Sequence, residues 1–261
     1  MSTLRETYWR SKLPWWRNVL RGGVAGLLNL LPDKVWLRLN SLRWEGLARR
    51  EPARALQALL TADQELNRFI DQEAVRYGQG VHAKHRLTKY HDFFVRRIGP
   101  GEKVLDVGCG NGLVAYAVAE GAGAWVVAMD LDPDHLAQAR GRFSHPRITY
   151  LWGDALTELP EGGFDVVILS NVLEHLPARP RFLQKLQAAA RPSRLLIRVP
   201  LFEREWRVPL RRELGLEWRS DNTHETEYTL ESFAQEMAAA GLKVDHLEVR
   251  WGEIWAEVSK S

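Results

Sequence analysis

The sequence predicts an α/β protein built on a mainly parallel sheet, preceded by an all-helical N-terminal segment. Three observations predict it. Beyond residue 100, short apolar runs alternate with stretches of helical periodicity, the pattern of right-handed βαβ units. The last two apolar runs flank Gly252 with no helix between them, which makes a terminal antiparallel hairpin. Up to residue 77 only helical spacings and helix caps occur. Composition agrees. A chain of 261 residues, 45% apolar and 26% charged, is ordinary for a soluble globular protein and long enough to bury a sizeable core. Cys109 is the single cysteine, which excludes an intrachain disulfide and a cysteine zinc cage. No apolar run approaches the ~18 residues of a membrane span.

The elements follow in order. Residues 14–31 read as an amphipathic helix that Ser11 or Pro14 starts and Pro32 ends. Trp16, Leu20, Val24, Leu27 and Leu31 line one face of it. The basic residues before it resemble a secretory leader, but Asn29 interrupts the apolar stretch and no small-residue cleavage site follows. Asp33 caps a second helix through residue 50, and a third covers 52–60. Thr61 with Gln64 resembles a capping box that opens a fourth helix, which Gly78 ends after Tyr77. Strands are expected at 104–107, 125–129, 148–152, 166–169 and 195–199, with helices at 111–121, 133–143 and 179–190. A helix over 229–240 precedes the hairpin of 244–250 and 254–258. The domains are thus a helical segment, 1–77, and an α/β domain, 78–261. The long connection over 201–228 suits a substrate lid.

In a doubly wound sheet, ligands bind beyond the carboxyl ends of the strands. Those ends read Asp106-Val107-Gly108-Cys109-Gly110-Asn111-Gly112, then Asp130, Gly153-Asp154 and Ser170-Asn171. A glycine turn after a strand also suits a dinucleotide. Asp106 argues against that, because a phosphate-binding turn favours anions and has no use for a carboxylate. A carboxylate there suits a ligand amino group. Asp130 suits a ribose diol, and Asp154 an adenine amino group. Three acids at three strand ends fit an adenosyl amino acid better than NAD.

This series, with Phe164-Asp165 and Asn171-Val172-Leu173-Glu174-His175-Leu176, resembles the motifs of class I S-adenosylmethionine-dependent methyltransferases in order and spacing. The resemblance covers about residues 80–261. It implies a Rossmann-like seven-stranded sheet with a reversed terminal strand and helices on both faces. It also implies S-adenosylmethionine as the cofactor. Asp106 and the turn Gly108, Cys109, Gly110, Asn111 and Gly112 would hold its methionine part. Asp130 would take the ribose hydroxyls, Leu131 one adenine face, and Asp154 and Ala155 the adenine edge. Asn171 would offer backbone to the methionine amine. Cys109 reads as a small turn residue rather than a nucleophile.

A hydroxyl or activated-carbon acceptor needs a base, and histidine is the usual one near neutral pH. His175, just past the fourth strand, and His224, in the long connection, are the candidates; packing or capping roles are the alternatives. With His224, Glu227 and Tyr228 could bind a polar, sugar-like acceptor. Segment 77–86 more loosely resembles the entry segment of methyltransferases of bacterial surface-glycan assembly. Arg86, with His82 and His85, could reach the cofactor carboxylate or an anionic acceptor. No metal constellation of the catechol type is present, and no metal is expected. Ser170-Asn171-Val172-Leu173 lacks the Asn/Asp-Pro-Pro-Tyr/Phe signature of amino-methylating nucleic-acid enzymes. The resemblance therefore implies methyl transfer to a hydroxyl of a small-molecule or glycan/lipid-linked acceptor, rather than to nucleic acid. A cofactor-binding module without turnover is the alternative.

Charge separates the chain. Residues 1–60 carry +7 and the remainder −4. Trp9, Trp15, Trp16, Trp36 and Trp44 lie in the same basic head. Residues 1–44 thus suit a helix lying on an anionic membrane surface, or one packed on the core or on a second copy of the chain. The expected location is cytoplasmic, or peripheral at the membrane.

Overall fold

A computed structural model describes Gly26 and residues 30–49 and 51–261. The helix expected over 14–31, with Trp9, Trp15 and Trp16, lies almost wholly outside the described residues. The chain divides into two compact units, 1–62 and 63–261. The division falls inside a helix, whereas 77/78 is where that helix ends.

In the first unit, helix α1 runs Asp33–Ala48 and buries no residue. Pro32 occupies the N-cap, so Asp33 does not cap; it sits in the first turn, where its charge still favours the helix dipole. Helix α2, Pro52–Tyr77, corrects the expectation of two helices. Its residues are mostly strong helix formers, with no glycine or internal proline to break it. Thr61 is interior, and its hydroxyl donates to the Gln57 carbonyl one turn back, at 2.7 Å.

The second unit takes in the rest of α2 and then two short helices, α3 (Ala83–Leu87) and α4 (Asp92–Val95). Then come β1 (Lys103–Val107), α5 (Leu113–Gly121), β2 (Trp125–Asp130), α6 (Pro133–Arg142), β3 (Ile148–Trp152) and β4 (Val166–Ser170). They are followed by α7 (Arg179–Ala190), β5 (Arg194–Pro200), α8 (Arg207–Glu213), α9 (Leu230–Ala239), β6 (Leu242–Arg250) and β7 (Glu253–Lys260). The sheet has seven strands in the order β3-β2-β1-β4-β5-β7-β6. Strands β1 to β5 are parallel, and β7 runs antiparallel between β5 and β6.

Strand alternation sorts the core onto two faces. Leu105, Val107, Leu169 and Ile197 pack with Leu183 and Leu186 of α7 and Phe233 of α9. Val104, Val126, Ile168 and Leu196 pack with Val118 of α5 and Leu136 of α6. Each such fully buried side chain contributes about 1.5–3 kcal/mol. The parallel register brings Asp106 beside Ala128 and Ile168, and Ser170 beside Arg198, so the functional ends share one edge of the sheet.

The turn after β1 depends on glycine at two points. Gly112, at φ 83°, starts α5 without a side-chain cap. A Cβ there would lie 2.6 Å from the Tyr150 hydroxyl and 2.9 Å from Ala139. Gly108, at φ 69°, lies under Val172, which a Cβ would meet at 2.7 Å. Segment 201–228, the long connection expected as a lid, is a packed excursion that contains α8. Leu201 bridges to Tyr228, and Phe202 N–H donates to the Tyr228 carbonyl at 2.7 Å.

Candidate functional site

A cleft of about 350 Å³ opens at the carboxyl edge of the sheet, within the range of small-molecule sites. Asp106, Gly108, Cys109, Gly110, Asn111 and Ser170 line it, faced by Val81, His82, His85, His91 and Arg198. Asp106 ends up here because it is the last inward position of β1 on the helix-α5 face. Only 1% exposed, it leaves Oδ2 without a hydrogen-bond partner. Burial and the nearby Asp130 charge push its carboxyl up to about 7, against the pull of Arg198. Ser170 Oγ and Asn171 Oδ1 are also buried and unpartnered. Unmet buried acceptors are costly and mark a place for donors. An ammonium group meets that need. These orphaned oxygens fit the methionine end of S-adenosylmethionine better than a phosphate.

Asp130 is buried and holds the turn. Gly110 N–H donates to its Oδ2 at 2.7 Å and Asp132 N–H to its Oδ1 at 2.9 Å. A carboxylate keeps further lone pairs for a diol. Leu131 beside it is 69% exposed, a free apolar face. Asp154 is exposed and accepts from Leu156 N–H at 2.9 Å, which leaves its other oxygen open. Ala155 is half-buried against the core. Asn171 adopts φ 58°, the left-handed region, which turns the chain sharply out of β4. The Cys109 thiol is held far above its ordinary value by burial and then by Asp106 and Asp130, so it stays protonated.

Arg198 is the lining residue that sequence reasoning missed. Within a strand it reads as an outward position. Its guanidinium instead stacks 4.5 Å from the Tyr90 ring and 5.2 Å from Trp255; Nε and Nη1 make no hydrogen bond, and Nε stands 3.9 Å from the Glu253 carboxylate. His91 was missed too. Burial, then neighbouring cations, hold His85 at about 4 and His91 at about 3, so both are neutral. Their Nδ1 and Nε2 lie 3.2 Å apart. Arg86 is exposed and does not line the cleft. One residue on from His85, Arg86 is turned about 100° round α3 from that ring.

On the acceptor side, Leu173–His175 forms a 3₁₀ turn just past β4. Its Glu174 is fully buried with both carboxylate oxygens unpartnered, and burial pushes it up to about 7. The Glu174 carbonyl accepts from Glu225 N–H at 2.7 Å, which ties the excursion to this turn. His175 is half-buried, held below its ordinary value by burial and the His224 charge. The two rings meet edge to face at 4.5 Å. The structure therefore brings His175 and His224 together, although 49 residues separate them in sequence. One donor atom each from Glu174, His175 and His224 lies within 4.8 Å of the other two.

Two expected acceptor residues are placed elsewhere. Glu227 is buried and spent: Arg204, Ser220 N–H, Ser220 Oγ and His224 all engage its carboxylate. Although burial opposes it, His224, Ser220 and Arg204 hold Glu227 below the usual carboxylate range. Its carboxylate is held against the His224 ring. Tyr228 is 1% exposed, packed on Phe233, with its hydroxyl donating to Glu236. It follows the excursion back into the core and has no surface to offer.

Comparison with known proteins agrees with this geometry. An uncharacterised methyltransferase of Mycobacterium bovis is 38% identical over 91 residues, 34% of this chain and 46% of that protein. Ribosomal protein L11 methyltransferase of Thermotoga petrophila is 35% identical over 104 residues, 39% of this chain and 38% of that protein. The match thus spans less than half the length of each of these curated relatives. Among solved structures, magnesium protoporphyrin IX methyltransferase of Synechocystis, with bound S-adenosylhomocysteine, has a TM-score of 0.55 at 18% identity. The likeness covers 73% of this chain and 87% of that one. A small RNA methyltransferase also scores 0.55 at 18% identity, over 67% of this chain and 25% of that one. These two likenesses concern the fold alone, and the two proteins are named for such different acceptors that the expectation against nucleic acid gains nothing from them. Residues 80–247 match the methyltransferase domain family: the chain belongs to that family, and S-adenosylmethionine is its cofactor.

Proposed function

We propose that the chain methylates a hydroxyl of a small-molecule or glycan/lipid-linked acceptor. One observation carries the reading: a cluster able to take a proton, Glu174 with His175 and His224, follows directly on the strand end that lines the cofactor cleft. S-adenosylmethionine supplies a sulfonium-activated, already electrophilic methyl group. Asp106 accepts hydrogen bonds from the ammonium end. Arg198, which lines the cleft with Nη1 free of hydrogen bonds, pairs with the carboxylate end. Asp130 receives the ribose hydroxyls, with Leu131 against the adenine and Asp154 at its edge. His175 or His224 takes the acceptor proton, while the excursion over 201–228 excludes water and aligns the acceptor. Glu227 fixes the His224 ring by accepting from Nδ1–H at 3.3 Å.

The test uses the purified chain, cofactor labelled in the methyl group, and a fractionated extract of its own cells. Label is expected in a small or lipid-linked fraction, as a base-stable ether. Label in protein or nucleic acid, or binding of cofactor with no transfer at all, would overturn the reading. No helix among the described residues is long and apolar enough to cross a membrane. A peripheral position through residues 1–44 rests on their charge and tryptophans.

A further inference from the structure

We propose that Glu174, His175 and His224 bind a divalent first-row transition cation that takes the acceptor hydroxyl as a further ligand. The proposal rests on the methyl-transfer reading above and concerns the same acceptor side, but it replaces the free histidine base with a cation, since a ligating nitrogen has no lone pair left for the acceptor proton.

The donor set comes first. Glu174 is 0% exposed, and no well-formed hydrogen bond reaches either carboxylate oxygen, although its own backbone N–H and the Asn171 side chain lie near enough to favour its charged form. A buried carboxylate left this way needs a cation or a proton. Two imidazoles stand beside it, and one donor atom of each of the three residues lies within 4.8 Å of the others. Metal–nitrogen and metal–oxygen bonds of about 2.0–2.2 Å draw tetrahedral ligand atoms to roughly 3.5 Å apart. Closure by about 1 Å is within the reach of side-chain rotation.

The outer hydrogen bonds leave each ring one nitrogen free to act as a ligand. The Thr223 hydroxyl lies 2.7 Å from Asp221 Oδ1 and 3.0 Å from His175 Nδ1. A carboxylate only accepts, so the hydroxyl donates to Asp221 and must accept from His175 Nδ1–H. His224 Nδ1–H donates to Glu227, whose carboxylate is itself fixed by its other partners. Each imidazole therefore carries its proton on Nδ1 and keeps a lone pair on Nε2. That is the arrangement by which second partners set a ligating histidine. Two nitrogens and one carboxylate suit Zn²⁺, Co²⁺, Fe²⁺ or Mn²⁺ better than Ca²⁺, which prefers all-oxygen cages. Three protein ligands leave a position open, as in catalytic rather than structural sites.

The chemistry balances. An acceptor hydroxyl bound to the cation releases its proton to solvent more readily. Its oxygen then forms the new O–C bond to the methyl group as the C–S bond breaks, and sulfur keeps that electron pair. No oxidant or reductant is needed.

The experiment uses the full chain, freed of metal with EDTA and titrated with cobalt chloride. One Co²⁺ per chain is expected, with the visible absorption of a four- or five-coordinate ion that Zn²⁺ bleaches. Glu174→Gln and His224→Ala should lose it. Thr223→Val, an isosteric exposed change, should weaken Co²⁺ binding by roughly 10–100-fold. Each variant is checked for fold by its binding of S-adenosylhomocysteine. No retained Co²⁺, a band unchanged in His224→Ala, or full affinity in Thr223→Val overturns the proposal. Methyl transfer that proceeds undiminished in EDTA also overturns it and leaves the base reading standing. Co²⁺ held by a chain that transfers no methyl group sinks the methyl-transfer reading instead.

Discussion

Asp130 and Asp106 lie at neighbouring strand ends but do different work. Asp130 organises the turn through Gly110 and Asp132 while keeping lone pairs for a diol. Asp130→Ala should weaken S-adenosylhomocysteine binding by about 1–3 kcal/mol, read by calorimetry; unchanged affinity removes it from the ribose site. Asp106 predicts a pH effect. Its carboxyl moves from 3.8 to about 7 on folding, so the folded state holds the extra proton between those values. Stability should therefore fall as pH rises from about 4 to 7, by up to ~1.4 kcal/mol per unit. Urea melts across that range should show the slope shrinking in Asp106→Asn. A slope equal to that of the parent chain places the titration elsewhere. At this scale the sequence announces the three acids and the glycine turn, because strand ends and residue types are local. It misplaces Glu227 and Tyr228, because whether a polar side chain faces a cleft or is consumed by Arg204 or Glu236 depends on distant partners. Arg198 is hidden for the same reason: nothing in a strand pattern tells that Tyr90 and Trp255 will cradle a guanidinium.

Among the elements, the strands and the helices between them follow from apolar runs closed by glycine or acid, and all seven strands stand in the expected sense. Helices without such punctuation are harder to read. Thr61 and Gln64 look like a helix start, yet the strong formers on both sides carry α2 straight through. Thr61→Ala should accordingly be neutral or slightly stabilising in a thermal melt. A cost of ~1 kcal/mol, the ordinary loss for an N-cap, would restore the two-helix reading. Helix α8 escapes detection for a different reason. Its seven residues carry Pro209 and four charges, so no apolar stripe appears, and ion pairs hold it instead. Arg207 and Arg211 reach Asp63 at 3.3 and 2.9 Å.

At the scale of the whole molecule, the family match begins at residue 80, so the basic head stands outside it. Residues 1–44 predict a separable behaviour. If they lie on an anionic surface, the intact chain should sediment with phosphatidylserine vesicles, release them as salt rises, and lose them when residues 1–44 are deleted. A chain that ignores vesicles at low salt, or a deletion that unfolds the rest, assigns those residues to packing. The other feature at this scale is the excursion, whose two stems touch where Leu201 meets Tyr228. A segment that leaves and returns at one point can change length cheaply, each doubling costing only about 0.6 kcal/mol. The strand ends proposed to cradle the cofactor contribute nothing to it. Glu174 and His175 stay with the sheet, while His224 travels with the excursion. If the excursion holds the acceptor, as proposed, replacement of this one cassette would retarget the enzyme on an unchanged chassis, provided each graft brings its own histidine.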